Sequence, residues 1–248
     1  MKRFLATVSF SFALGFSGMT SAEETSLTLL TEENPPYSYQ DIESGDLKGT
    51  GVSLVKELMR RSNTKFTLTL LPWKRAFREA QENENTCVFV VNRTPAREPL
   101  FSWVGPLFEG GWAVYKRPDS EITIQTPADM KPYNVVGKSG SASVDEIEKA
   151  AGIKIIRTGK DELAAKMLYY GRADLWVSGV VDGPLGAKAA GLPAPALALL
   201  WKKANLSLAC SRQTNTALIE QLNKINQSLD ELRKEVLALH SSALSQAQ

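Results

Sequence analysis

Apolar residues recur along this chain with two different periods, and the periods alternate. Residues 27–33, LTLLTEE, form a short apolar run ending in charge and predict a strand. In GVSLVKELMRRSN, Val52, Val55, Leu58 and Met59 share one helical face. KFTLTLLP alternates Phe66, Leu68 and Leu70 with threonines, the period of a strand. WKRAFREAQENE predicts a helix, and the β-rich TCVFVVN a central strand. This β-α-β-α-β order predicts a parallel sheet with helices on its faces. A second series repeats the plan. GGWAVYKR, YNVVGKSG, IKIIR and ADLWVSG predict strands, and SVDEIEKAAG and DELAAKMLYYG predict helices. Ser143 followed by Glu146 is a capping-box pattern, and Gly152 suits the stop of the same helix. NLSLACSR adds a strand. From about Thr216 one long helix carries Leu218, Leu222, Ile225, Leu229, Leu232, Val236 and Leu239 at alternating spacings of four and three. A coiled coil uses that spacing; a single run of this length better suits a helix docked on its own domain, frayed after about residue 241.

Two α/β series in one chain predict two lobes. The ends and the charge then say where the chain works. Residues 1–22 combine a basic start (Lys2, Arg3), an apolar middle and a small-residue end at Thr20 and Ala22, the pattern of a secretory signal peptide cleaved before Glu23. The apolar run is short for a membrane anchor. Two of the 29 basic residues and no acidic residue fall in that segment, so the remaining basic residues equal the 27 acidic ones. A neutral exported chain is a poor nucleic-acid binder. Export also permits a bond between Cys87 and Cys210, but they lie far apart in sequence, and two buried thiols are the alternative.

Candidate chemistry is sparse. The single histidine, His240, stands near the end of the terminal helix. HExxH, GxSxG and Cys–His clusters are all missing, so neither metal ligands nor a catalytic triad is expected, and no cofactor. GKSGSAS (137–143) links a strand to a helix N-terminus, where unpaired N–H groups favour anions; Lys138, Ser139 and Ser141 add charge and hydroxyls. An ordinary Gly/Ser connection is the competing account. PPYSY (35–39) and PWKRAFRE (72–79) also follow strands, at the sheet end where α/β proteins bind ligands. Trp73 suits a stacking wall or helix-to-sheet packing. Arg75 faces either an anion or a salt bridge to Glu79 or Glu82. Arg93 and Arg97 flank Pro95 in VVNRTPAREPLFSWVGPL, which starts as a strand and ends as an aromatic loop. Either they hold an anion or they pair internally, for instance with Glu98.

These stretches together resemble the periplasmic amino-acid-binding proteins of bacterial ABC importers, extracellular solute-binding protein family 3, over residues 26–240. The resemblance rests on ENPPYSY…GTGVSLVKELM, on NRTPAREPLFSWVGPLFEGGWAVYKR with its Thr-x-x-Arg, and on VVGKSGSAS and MLYYGRADLWVSG. It implies an α/β, two-lobed type II periplasmic-binding fold. Each lobe is then a mostly parallel sheet flanked by helices. Two crossing strands near 110–117 and 203–211 join the lobes: residues 23–110 with 205–248, and residues 111–204. It further implies that Arg97 grips a ligand carboxylate, with Trp73 and Asn92 beside it and Lys138, Ser139 and Ser141 opposite. Tyr37 would cover the apolar part of the ligand. In the family an Asp meets the ligand ammonium where this chain has Gly179, preceded by Ser178; Asp182 is three residues on, and Thr31 stands where some members have an Asp, with Glu32 and Glu33 beside it. The expected function is periplasmic capture of a small carboxylate or polar amino acid, by a monomer serving an ABC importer. A sensor partner is a second reading. A cyclohexadienyl dehydratase-like enzyme, with Glu33 as general acid, is a third.

Overall fold

The computed structural model describes residues 26–245; the expected signal peptide and the last three residues lie outside them. The elements follow in the order β1 (Ser26–Thr31), β2 (Tyr39–Gln40), β3 (Leu47–Lys48), α1 (Thr50–Ser62), β4 (Lys65–Leu70), α2 (Trp73–Glu82), β5 (Thr86–Asn92) and β6 (Ser102–Lys116). Then come β7 (Val135–Lys138), α3 (Ala142–Ala151), β8 (Ile156–Thr158), α4 (Asp161–Tyr169), β9 (Leu175–Gly179), α5 (Asp182–Ala189), β10 (Ala196–Cys210), α6 (Thr216–Gln227) and α7 (Asp230–Ser245).

Both β-α series are present, and they share one eight-stranded sheet of order β4-β1-β5-β10-β6-β9-β7-β8. The triplets β4-β1-β5 and β9-β7-β8 are parallel. Between them lies the antiparallel pair β10–β6, which bonds antiparallel to each triplet. The crossing strands are therefore longer than expected, 15 residues each. Residues 102–107 are strand and not an aromatic loop, because Ser102, Trp103 and Val104 pair with Cys210, Ala209 and Leu208.

Each triplet has its own core. Val52, Leu54, Val55, Leu58 and Met59 of α1 pack on Leu27, Leu29 and Phe89, together with Ile219, Leu222 and Leu229. Val144, Ile147 and Ala151 of α3 pack on Val135, Leu175 and Val177. Trp176 lies fully buried under α4 and α5, beside Tyr115. The terminal helical run docks on its own chain but divides at Ser228–Leu229. Leu229 still points into the α1 core, so the apolar spacing survives the break. Helix α7 continues to Ser245, past the expected fraying point. The cap of α3 is Ser141, not Ser143. Ser143 lies inside the first turn, its hydroxyl 2.7 Å from that of Ser141, so no capping box forms. Of IKIIR, Ile156 and Arg157 form strand, and with Thr158 they make up β8.

Cys87 and Cys210 are direct partners on β5 and β10 and form a disulfide across 123 residues of sequence. The two α carbons are 3.9 Å apart, and both residues are fully buried.

Candidate functional site

The loops after β1, β5, β7 and β9 and the first turn of α2 converge on one cleft beside the β10–β6 pair. Local sequence explains the convergence. Gly49, at φ 129°, passes so close to Tyr37 that a Cβ there would stand 2.3 Å from its carbonyl oxygen. The same carbonyl accepts the Gly51 and Val52 amides. The PPYSY loop is thus clamped onto the start of α1, and Tyr37 is buried against Phe108 at 5.3 Å. In β5 the register to β10 slips between Val88 and Val91, and Val90 takes the left-handed φ of 62°. That conformation is costly for a β-branched residue, and Val90 lines the cleft.

Arg97 and Trp73 form one wall. The Arg97 guanidinium lies over Phe77 at 5.1 Å and Trp73 at 5.6 Å. It donates to the carbonyls of Gly140, at 3.0 Å, and Asn92, at 3.4 Å. It makes no ion pair among the described residues. Burial lowers its pKa from the ordinary value, with Asp145 and Glu146 opposing; it stays a cation. Trp73 Nε1 donates to the same Gly140 carbonyl at 3.1 Å. Asn92 Oδ1 accepts from Trp112 Nε1 at 3.0 Å. Gly140, at φ 80°, leaves no room for a side chain, since a Cβ would meet Trp73 Cδ1 at 2.9 Å.

The opposite wall is ionic. Lys138 Nζ donates to both carboxylate oxygens of Glu32 at 2.8 Å. Burial works against its charge, but Glu32, Asp161 and Asp182 overcome this and raise its pKa. Ser178 donates to Asp161 Oδ1 at 2.9 Å. Burial, then the charge of Asp182, pushes Asp161 up to about 7. Burial also raises Asp182, and burial followed by the Asp182 charge raises the Tyr37 phenol.

Seven of the ten expected ligand residues therefore meet here: Tyr37, Trp73, Asn92, Arg97, Lys138, Ser141 and Ser178. Three stand outside the cleft lining. Glu33 is exposed and accepts from the Gln40 amide at 3.3 Å. Arg75 is exposed and pairs with Glu79 at 2.7 Å, the competing account at that position. Ser139 gives its amide to the Thr158 carbonyl, which ties it to β8. Arg93 pairs with Glu98 through two bonds of 2.6 and 2.7 Å and stacks on Trp103. Asp161 and Gly140 were not singled out from sequence. Glu32 was weighed only beside Glu33; it directly follows β1 and is half-buried, whereas Glu33 is exposed.

Among the described residues no cluster could hold a metal ion, and no helix is long and apolar enough to cross a membrane.

No curated protein matches this chain in sequence. Solved structures do match in shape. A mutant of ArgBP from T. maritima superposes with TM-score 0.75 at 21% identity, covering 88% of this chain and 96% of that one. An ancestral arginine-binding protein bound to arginine gives TM-score 0.73 at 22% identity, over 87% and 98%. A histidine kinase sensor domain with similarity to periplasmic binding proteins gives 0.75 at 16%, over 87% and 95%. These likenesses establish the two-lobed periplasmic-binding fold. The family profile of the bacterial extracellular solute-binding proteins, family 3, matches residues 27–237, and the chain belongs to that family.

Proposed function

We propose that this protein captures a small carboxylated solute, with polar amino acids in the class, in the cleft between residues 23–110 with 205–248 and residues 111–204. The reading places it outside the cytoplasm after loss of residues 1–22, as a monomer handing its ligand to an ABC importer. One observation carries it: Arg97 is a half-buried guanidinium, pre-stacked on two rings, whose hydrogen bonds end on neutral carbonyls. A carboxylate supplies the opposite charge and the paired acceptors that such a group binds best. The Trp73 and Arg97 bonds to Gly140 and the Glu32–Lys138 pair bridge the two sides of the cleft, as in a closed binding protein. Ligands of the structural relatives agree, since one ancestral protein was solved with arginine and with glutamine.

Thermal-shift screening of a metabolite library tests this, because a ligand bound only by the native state raises the melting temperature. A saturable shift from a carboxylated compound, lost in Arg97→Ala, is the expected result. A shift that survives in Arg97→Ala would remove Arg97 from the site. The sensor-domain relative supports a second reading, delivery to a signalling receptor. Uptake of the identified solute by cells lacking this protein separates the two: lost uptake means an importer. A histidine-free cleft lining favours binding over dehydration, and turnover of prephenate or arogenate would reverse that.

A further inference from the structure

The β10–β6 pair beside the cleft has a gap in its surface. Side chains alternate along a strand, so Phe108, Gly110 and Trp112 of β6 share one face. Phe108 packs on Tyr37 at 5.3 Å, and Trp112 Nε1 donates to Asn92 Oδ1 at 3.0 Å. Between these two rings Gly110 presents no side chain. Its direct partner on β10 is Ala204, so the neighbouring strand is small at the same level. The recess is lined by Gly110, Trp112, Val180, Val181, Ala204 and Leu206, and Ser141 and Ser143 add hydroxyls. It is continuous with the main cleft, since Tyr37, Asn92, Ser141 and Leu206 line both.

The ordinary reasons for a glycine inside a strand fail at position 110. Its φ lies outside the left-handed range that favours glycine. A Cβ there would meet nothing nearer than the Ala204 carbonyl oxygen at 3.7 Å and Leu206 at 3.8 Å, ordinary contact distances. The ladder to β10 runs without a slip from Lys202 to Leu206, so no bulge requires it. Alanine would fit, and glycine in a strand interior is destabilising relative to alanine. Close approach of a ligand is the reason that remains. Charge sets the recess apart as well. Arg97, Lys138, Glu32 and Asp161 line the main cleft and not the recess, and Lys138 and Glu32 hold each other. Among the described residues Asp182 is the single charged group lining the recess, at the seam it shares with the main cleft.

We infer that the recess over Gly110 is a second subsite, which takes the uncharged tail of a ligand whose carboxylate is held at Arg97, and that Gly110 determines the tail admitted. This inference rests on the proposed carboxylate-binding function and adds the ligand class: acids with a short uncharged tail, ahead of acids that end in a second charge. An apolar tail leaves water together with Val180 and Leu206, which is favourable in proportion to the area removed. A charged tail gives up its hydration against walls that are mostly apolar, which is costly. A side chain at 110 would compete with the tail directly, because its Cβ would point at Ala204 and Leu206, two of the walls.

Melting curves without ligand come first. If the glycine serves a ligand and not the fold, the melting temperature of Gly110→Ala should hold or rise by about 1–4 °C. A fall would make the glycine structural and overturn the inference. Titration calorimetry follows, with L-alanine, L-norvaline, L-norleucine and L-lysine, and in parallel with propanoate, pentanoate, hexanoate and 6-aminohexanoate. Whichever series binds carries the comparison. Affinity for the wild type should rise about fourfold per methylene along the uncharged probes. The ammonium-tipped probe should bind at least about tenfold more weakly than the uncharged probe of equal carbon count. Gly110→Val should flatten the dependence on length, and Gly110→Ala should flatten it in part and serves if the valine protein does not fold. Binding without any gain along the series overturns the subsite and leaves the carboxylate-binding function standing, and so does a gain that survives in both variants. Equal affinity for charged and uncharged tails overturns the assigned ligand class. If no probe of either series binds the wild type, the carboxylate-binding function fails and the subsite falls with it.

Discussion

The loop from Arg93 to Glu98 has two faces, and each carries an arginine. On the outer face Arg93 meets Glu98 through both ends of its fork and rests on Trp103, half in solvent. On the inner face Arg97 lies across Phe77 and Trp73 and reaches only carbonyl oxygens. The two residues are identical in charge and four positions apart. Their difference teaches that an arginine's role is set by what is withheld from it. Arg93 has an internal carboxylate and is satisfied; Arg97 has none among the described residues, and the proposed function assigns it one from outside. The same contrast separates Arg75, paired on the surface with Glu79, from the ionic groups facing the cleft.

The largest effect should come from dividing the two arginines. Arg97→Ala is expected to weaken binding of the cognate solute about 30-fold or more, the cost of truncating one partner of a buried charged contact. Arg93→Ala should stay within about threefold. Equal losses by calorimetry would erase the distinction between the faces. Next, a Cys87→Ala/Cys210→Ala protein should lose about 2–5 kcal/mol of stability in urea, since the bond closes a long loop. Its affinity should hold, which would separate what supports the sheet from what grips the ligand. Third, Gly140→Ala strains a left-handed backbone and presses on Trp73. It should cost about 1–3 kcal/mol, read as a lower melting temperature and altered tryptophan fluorescence on closure.

A fourth, smaller effect is in pH. Asp161 is raised by burial to about 7 in the folded protein, above its unfolded value. Such a group contributes stability fully below the unfolded pKa and loses it as pH climbs through the folded pKa. Between about pH 4 and 7 the wild type should therefore lose stability relative to Asp161→Asn in parallel urea titrations. Smallest of all, Arg75→Ala should stay within about 0.5 kcal/mol in stability, with binding unchanged. A loss of affinity there would show that the outer surface takes part after all.

Most of the architecture could be read from patterning, because α1 and α3 each bury one face, β4 alternates, and β5 and β9 are apolar runs buried on both faces. Residues 102–107 escaped because their strand character comes from pairing with a segment a hundred residues away, not from local alternation. The division at Ser228 escaped because the apolar spacing crosses it unbroken. In the cleft, Arg97 and Trp73 stood out by residue type and by the family pattern. Asp161 did not, since an acidic residue at a helix N-terminus normally serves the helix dipole. Only folding sets it beside Asp182 and Lys138. The position of Gly140 was likewise hidden: a glycine in a Gly/Ser loop gives no hint that its carbonyl will serve two side chains from the far wall.

The strand order has a consequence for how the protein is made. β10 is the last strand of the chain, yet it lies in the middle of the sheet, between β5 and β6. Until residue 210 has been delivered, the growing chain holds two unfinished half-sheets, each with a bare central edge, and Cys87 has no partner. Contacts this distant in sequence close slowly. The arrival of one late strand completes both halves, joins them and brings the two sulfurs together.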